Sequence, residues 1–479
     1  MDRAIMSRDI VNTDVVTNGT FRILSFVNHI PVHPQVEELL AEADRRGVDA
    51  VCSQGTGMDF GPYMLGSGTQ FTTENFKENI RPYLRFAHER SIPFVLSVGI
   101  AGGRIQLDAC LERVDEVAAE EGLALTVGVI DGELDRADLT QRLRDGARAR
   151  RAVDSPALSE WLTAEDVEQS SHVVAQMGPE PIMAALALGV DGVITGRALD
   201  VGVYMAPPLA AGFPRGPTTH MAKVLECAGL ALTPGDPSEP IYGILRHDGI
   251  EVYSLSANQR ATPRSIAGHS MYERDNPFKE RNPGGYLDLT HATYESLDGD
   301  GVFSTGAVWV DEPYTVKLEG ARRSGYRTVA FFGVREPRFI AELDGFLENV
   351  RSSIKGSDRF GHLDEGKHYT VTFDQYGRNG VLGANEPLID AVPHEIGLLV
   401  DVIAESQALA ENLAYYICME LWIKPYPRRQ TTAGNLATRF APPTINVGPA
   451  FSFNVWHLLE VDDPLELFPT EVVSFPRST

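Results

Sequence analysis

Between residues 21 and 196 the chain repeats one unit: a short apolar run, a turn of small residues, then a helical pattern. A strand that leads through a helix to the next strand is the sequence form of a βαβ unit, and a series of them predicts a mostly parallel sheet. The expected strands are 21–27, 48–52, 92–98, 125–130, 173–178 and 192–196. The expected helices are 34–46, 72–90 (capped by Thr72, Thr73 and Glu74), 106–121, 135–151, 179–188 and 220–227. A doubly wound sheet is favoured. A closed barrel is the alternative, because 192–200 also reads as a barrel strand. Ligands of open α/β sheets bind beyond the carboxyl ends of the strands, so the strand exits carry the functional reading.

The first such exit is the longest. In residues 50–68, Gly55, Gly57, Gly61, Gly66 and Gly68 surround Asp59, Tyr63 and Ser67. Few bulky side chains beside one acid suit close contact with a ligand, although glycine and proline also build plain surface turns. The turn at 99–103 opens a helix, so the amides of Gly102 and Gly103 are candidates to hold an oxyanion. It is not G-x-G-x-x-G and has no ribose-binding acid at the right distance, so no dinucleotide is implied. Arg197 and Asp200 follow the strand at 192–196. On the helix at 220–227, His220, Lys223 and Cys227 share one face, with Glu226 near it.

After residue 233 prolines mark a change to alternating short strands at 241–245, 249–255, 290–297 and 302–310. His269 lies between them. Lys317, Glu319 and Arg322 follow, then a strand at 326–333, an amphipathic helix at 338–354 and a strand at 369–373. A long helix is expected over 397–419, with more apolar positions than one stripe needs; it predicts burial on two sides or a homo-oligomer contact. Residues 450–459 read as a last strand. The expected division is an α/β domain at 1–233, an α+β domain at 234–424, and a small C-terminal domain or extension at 425–479.

Net charge is −24, from 66 acidic against 42 basic residues, which argues against nucleic acid and anionic membrane partners. An anionic substrate then needs a local basic cluster, for which Arg197, Lys223, Lys317 and Arg322 are the candidates. The competing assignment is three separate ion pairs, Arg197 with Asp200, Lys223 with Glu226 and Arg322 with Glu319. Cys52, Cys110, Cys227 and Cys418 form no Cys-x-x-Cys pair, and residues 1–16 lack a signal-peptide core, so a cytoplasmic protein is expected. No cofactor is expected. Asp59, Asp200, His220, Glu226 and His269 offer donors that allow a divalent metal, but no metal-binding spacing assigns one.

The string GMDFGPYMLGSG at 57–68 resembles the D-x-G-P-Y-x-L-G-S-G signature of the acyclic terpene utilisation (AtuA-like) family. AGG at 101–103, TGRALD at 195–200, HMAKVLEC at 220–227, SIAGH at 265–269, Asn276-Pro277, YTVKLEGAR at 314–322 and TAGNLA at 432–437 are similar to it too. VDDPLELFP at 461–469 resembles the end of its longer members. One departure stands at the first strand exit, where Asn28-His29-Ile30-Pro31 replaces a glycine-rich turn. The resemblance implies the catabolism of branched, terpene-derived acids, and some members carry a methylaspartate ammonia-lyase label.

On that footing the expected protein is a lyase or hydratase acting on a small branched carboxylate or its thioester. Lys223, His220 and Asp200 are the expected catalytic residues. Asp59, Tyr63, Ser67, Gly102, Gly103, Arg197, His269, Lys317 and Arg322 are expected to bind substrate. Lys223 is expected to be desolvated, with its pKa lowered. An amide or lactone hydrolase, using Ser67 or Cys227 beside His220, is the second reading. A small-acid-binding subunit of a larger enzyme is the third.

Overall fold

The computed structural model describes residues 19–69, 73–298, 301–430 and 435–477. Thr72, residues 1–16 and the first half of the 432–437 motif lie outside them. In chain order the elements begin with β1 (Thr20–Val27), α1 (Val36–Arg46), β2 (Ala50–Gln54), α2 (Tyr63–Ser67), α3 (Thr73–Arg90), β3 (Phe94–Ser97) and α4 (Arg104–Glu121). Next come β4 (Leu125–Ile130), α5 (Arg136–Arg144), β5 (Ala149–Arg151), α6 (Ala164–Gln169), β6 (His172–Gln176), α7 (Pro179–Leu186), β7 (Gly192–Thr195), α8 (Gly202–Ala210) and α9 (Arg215–Leu225). β8 (Ile241–Arg246), β9 (Gly249–Ser254), α10 (Pro263–Met271), β10 (Lys279–Asn282), β11 (Gly285–Asp288), β12 (Thr293–Leu297), β13 (Gly301–Thr305) and β14 (Val308–Asp311) follow. The last are β15 (Thr315–Val334), α11 (Pro337–Lys355), β16 (Tyr369–Tyr376), β17 (Ile396–Ala404), α12 (Gln407–Ile423), β18 (Ala437–Thr438), β19 (Thr444–Glu460) and β20 (Thr470–Phe475).

The chain forms two compact units, one running to Arg322 and resuming at Phe453, the other Arg323–Ser452. The first is an α/β unit on a ten-stranded sheet of order β12-β13-β9-β8-β1-β2-β3-β7-β4-β20. Its centre, β1-β2-β3-β7-β4, is parallel throughout. These strands are apolar on both faces because both faces are covered. Ile23, Cys52, Val95 and Val193 pack into one core, and Leu24, Val51, Phe94 and Ile194 into the other. The order has two edges, β12 and β20, so the sheet is open rather than a barrel.

Two expectations differ from this arrangement. Residue 233 does not end the unit, because β8 pairs antiparallel with β1 and carries β9, β13 and β12 into the same sheet. The strand at 173–178 is β6, but it lies outside the ten-stranded sheet and pairs antiparallel with the first part of β15. β20 takes the edge beside β4 instead.

In the second unit, the later part of β15 pairs with β17, and β17 with β16, all antiparallel. α11 and α12 bury Phe339, Leu343, Leu413 and Ile417 in a core with Phe332, Val400 and Val402. The helix expected over 397–419 is instead a strand followed by a helix. Residues 396–404 alternate buried and half-buried positions, the period of a strand with one face on a core. Ser406 then starts α12, its side chain accepting the Leu409 N–H.

Candidate active site

The exits of β2, β3 and β7 meet at one end of the parallel sheet. Gly102, at φ 67°, lets the turn after β3 lie directly on the Arg197 backbone, where an added Cβ would come 2.4 Å from the Arg197 nitrogen. Its carbonyl accepts the Arg197 N–H at 2.9 Å. Gly55 plays the matching part after β2: a Cβ there would meet the Asn28 amide at 2.0 Å. Asn28, whose Nδ2 donates to the Ser97 carbonyl at 2.8 Å, thereby ties the exit of β1 to that of β3. The departure Asn28-His29-Ile30-Pro31 has this structural use.

Arg197 is the hub. Its side chain is 3% exposed and points back into the protein. Nε donates to Glu319 Oε2 at 2.7 Å, while Nη1 donates to Asp200 Oδ1 at 3.1 Å and to the carbonyls of Thr56 and Ala198. Glu319 is fully buried, and its Oε1 accepts also from Gln176 Nε2 at 2.9 Å and Lys317 Nζ at 3.1 Å. Burial opposes a charge on Glu319, but Arg197 and Lys317 outweigh it and hold the carboxyl below its ordinary range. The ladder explains the meeting: Lys317 and Glu319 are two residues apart on β15, hence on one face, and Lys317 lies opposite Gln176 on β6.

Lys317 Nζ sits 3.7 Å from the centre of the Trp456 ring. Burial lowers its pKa, and the Arg197 charge adds to that; Glu319 and Asp200 pull the other way without restoring it. Lys223, at the end of α9, behaves oppositely. Its Nζ lies 2.5 Å from Glu226 Oε1 and 4.2 Å from the Tyr272 ring centre. Burial works against its charge too, but Glu226 and Glu280 overcome it and hold the ammonium above the usual lysine range. The expected fall in the Lys223 pKa is therefore corrected: Lys317 is the lysine whose proton is loosened.

Both lysines line a cavity of about 930 Å³ together with Gln176, Arg274, Glu280 and Trp456. Lys223 also lines a second cavity of about 240 Å³ with His29, Asp59, Asp200, Glu226 and Cys227. Lys223 and Lys317 thus share the larger cavity, whereas Arg197 lines neither and meets Lys317 through Glu319; the pairs Arg197–Asp200 and Lys223–Glu226 both form. The fourth cation does not join: Arg322 is exposed and its Nη1 donates to Gln169 Oε1 at 2.9 Å.

Other expected residues lie apart. His220 is fully buried, its Nε2 3.0 Å from Ser270 Oγ, and lines neither cavity; burial, reinforced by Arg274, pushes its pKa down to about 3. Ser67 Oγ donates to the Tyr63 carbonyl, and Tyr63 is 40% exposed on α2. The helix start after Gly103 is already served by the chain itself, since Glu133 Oε2 accepts the Arg104 N–H at 2.7 Å. His269 lies near Lys223 in a third cavity of about 530 Å³; burial, with Lys223 and Arg274, pushes its pKa down to about 4. Sequence reasoning missed Gln176, Tyr272, Arg274, Glu280 and Trp456. Only the alternation of Lys317 and Glu319 carried a signal, for they had to face the same way.

No helix among the described residues is long and apolar enough to cross a membrane. No curated protein and no solved structure matches the chain. The family model for "Acyclic terpene utilisation family protein AtuA" matches residues 40–231 and 233–452, and so spans the exits of β2, β3 and β7 and both lysines of the larger cavity. That breadth connects the chain with the catabolism of acyclic terpenes, and it belongs to the AtuA family.

Proposed function

We propose that this chain is a lyase or hydratase that works without an organic cofactor on a small branched carboxylate or its thioester. The observation that carries the reading is Lys317, a half-buried lysine with a lowered pKa on the wall of the 930 Å³ cavity that Lys223 shares. Lys317 in its neutral form is the base for the proton α to the substrate carbonyl. The C–H electron pair forms the carbon–carbon double bond of the enolate as the carbonyl π pair moves onto oxygen, and the ammonium of Lys223 faces the negative charge that develops there. Collapse of the enolate forms the C=C bond and expels the β-substituent; addition of water runs the same path backwards. Arg197 and Glu319 are positioning residues, which fix Lys317 and Asp200 against each other.

The cavity is at the large end of small-molecule sites, which run from roughly 300 to 1,000 Å³, and suits a branched acyl chain. The hydrolase reading finds less support. Ser67 Oγ is turned to Tyr63 and Thr69, and Cys227 Sγ lies 3.0 Å from the Tyr272 hydroxyl, so neither is hydrogen-bonded to His220. The test is α-proton exchange in deuterated water, followed by NMR over a panel of branched acids and their thioesters. Exchange that survives in Lys223→Ala at reduced rate and vanishes in Lys317→Ala is the expected result. Ligand binding by the parent protein without exchange or turnover of any panel member would mark a binding subunit and end the lyase reading.

A further inference from the structure

Just beyond the end of α9 three ligand-type side chains converge. The carboxylate of Glu226, the thiol of Cys227 and the imidazole of His269 place one donor atom each within 4.8 Å of one another. Two come from one end of a helix, and the third from α10, which is distant in sequence but packs against α9. Their partners leave the donors accessible to a cation. Lys223 and Tyr272 both engage Oε1 of Glu226, at 2.5 and 3.5 Å, and among the described residues no hydrogen bond uses its other oxygen. Nε2 of His269 is buried and has no hydrogen-bond partner. An orphaned buried ring nitrogen needs a reason, and a metal ion in the vicinity supplies one.

We propose that Glu226, Cys227 and His269 bind a divalent transition metal, with zinc as the best match. One thiolate, one imidazole and one carboxylate form a borderline-soft set of nitrogen, sulfur and oxygen donors that suits zinc rather than calcium or magnesium. Tetrahedral zinc with bonds of about 2.0–2.3 Å sets its ligand atoms roughly 3.5 Å apart, so rotation of the side chains by about an ångström completes the site. Binding takes the proton from the Cys227 sulfur and releases it to solvent. The Tyr272 hydroxyl, 3.0 Å from that sulfur, orients it. Three protein ligands leave a fourth position for water. Glu226 and Cys227 line the 240 Å³ cavity, so that position opens toward Asp59, Asp200 and Lys223. Lys223 opposes a cation, but it is offset by Glu226 itself and by Asp200 and Glu280, whose charges are felt at Glu226.

The experiment uses the full chain, stripped with a chelator and titrated with Zn²⁺ by calorimetry and with Co²⁺ by absorption spectroscopy. The expected result is one equivalent bound, with a sulfur-to-cobalt charge-transfer band. Cys52, Cys110 and Cys418 are buried, and Cys227 is the free cysteine that is not, so the band reports on Cys227. Cys227→Ser should remove the band. His269→Gln should weaken zinc binding by at least the roughly 10–100-fold that outer-shell changes cost. Absence of stoichiometric binding, or a cobalt complex without the thiolate band in the parent protein, overturns the proposal without recourse to any variant. Unchanged zinc affinity in folded Cys227→Ser and His269→Gln overturns it as well. Because the readout is metal binding, its failure leaves the Lys317 exchange experiment standing.

Discussion

Replacing Glu319 by glutamine tests whether the buried network is organised as described. The glutamine amide keeps the shape but loses the charge, and it presents an NH₂ where the carboxylate accepted from Arg197, Gln176 and Lys317. At least one donor then faces a donor. Arg197 retains only the half-exposed Asp200 as a counter-charge, and Lys317 loses its nearest one. Removing one partner of a buried, hydrogen-bonded ion pair costs about 3–5 kcal/mol. At roughly 2 °C per kcal/mol, the low end for domains of 150–250 residues, this lowers Tm by about 6–10 °C. The assay is thermal unfolding followed by circular dichroism, with Arg197→Met and the Arg197→Met/Glu319→Gln pair alongside. The double variant should be more stable than the sum of the single losses by about 0.5–3 kcal/mol, because each single change strands the other charge. A Glu319→Gln protein within about 1 kcal/mol of the parent, or strictly additive losses, would refute the network.

Three further outcomes follow from the same geometry. If Lys317 is the base, the rate of exchange should rise with pH to a plateau with an inflection below the ordinary lysine range, set by burial and Arg197 against Glu319 and Asp200; Lys317→Arg should abolish exchange at every pH tested. His220 stays neutral when folded, its pKa falling from 6.5 to about 3, so the unfolded chain binds the extra proton first; stability should drop as pH falls from 6.5 toward 3, and His220→Phe should flatten that slope in acid denaturation. Arg322→Ala removes an exposed contact to Gln169 and should change stability by less than about 0.5 kcal/mol, measured in the same melts, with exchange activity intact.

What the sequence by itself determined is local. The βα rhythm marked the strands of the parallel sheet because strands buried on both faces must be apolar throughout. The glycine-rich exits marked where the backbone turns closely, and Asp59, Gly102 and Arg197 do lie together beyond β2, β3 and β7. Period also deceives when composition is read without it: 396–404 alternates as a strand, yet its apolar content extended the helix that starts only at Gln407. Tertiary structure alone decided which charges meet. Glu319 reads as a partner for Arg322, three residues on, but in a strand that spacing puts the two on opposite faces, and Glu319 turns inward to Arg197 from 122 residues away. The same holds for the lysines. Lys223 and Lys317 look equivalent in the sequence, and only their burial and neighbours set their pKa values apart: Glu226 and Glu280 hold the proton on one, while burial beside Arg197 loosens it on the other.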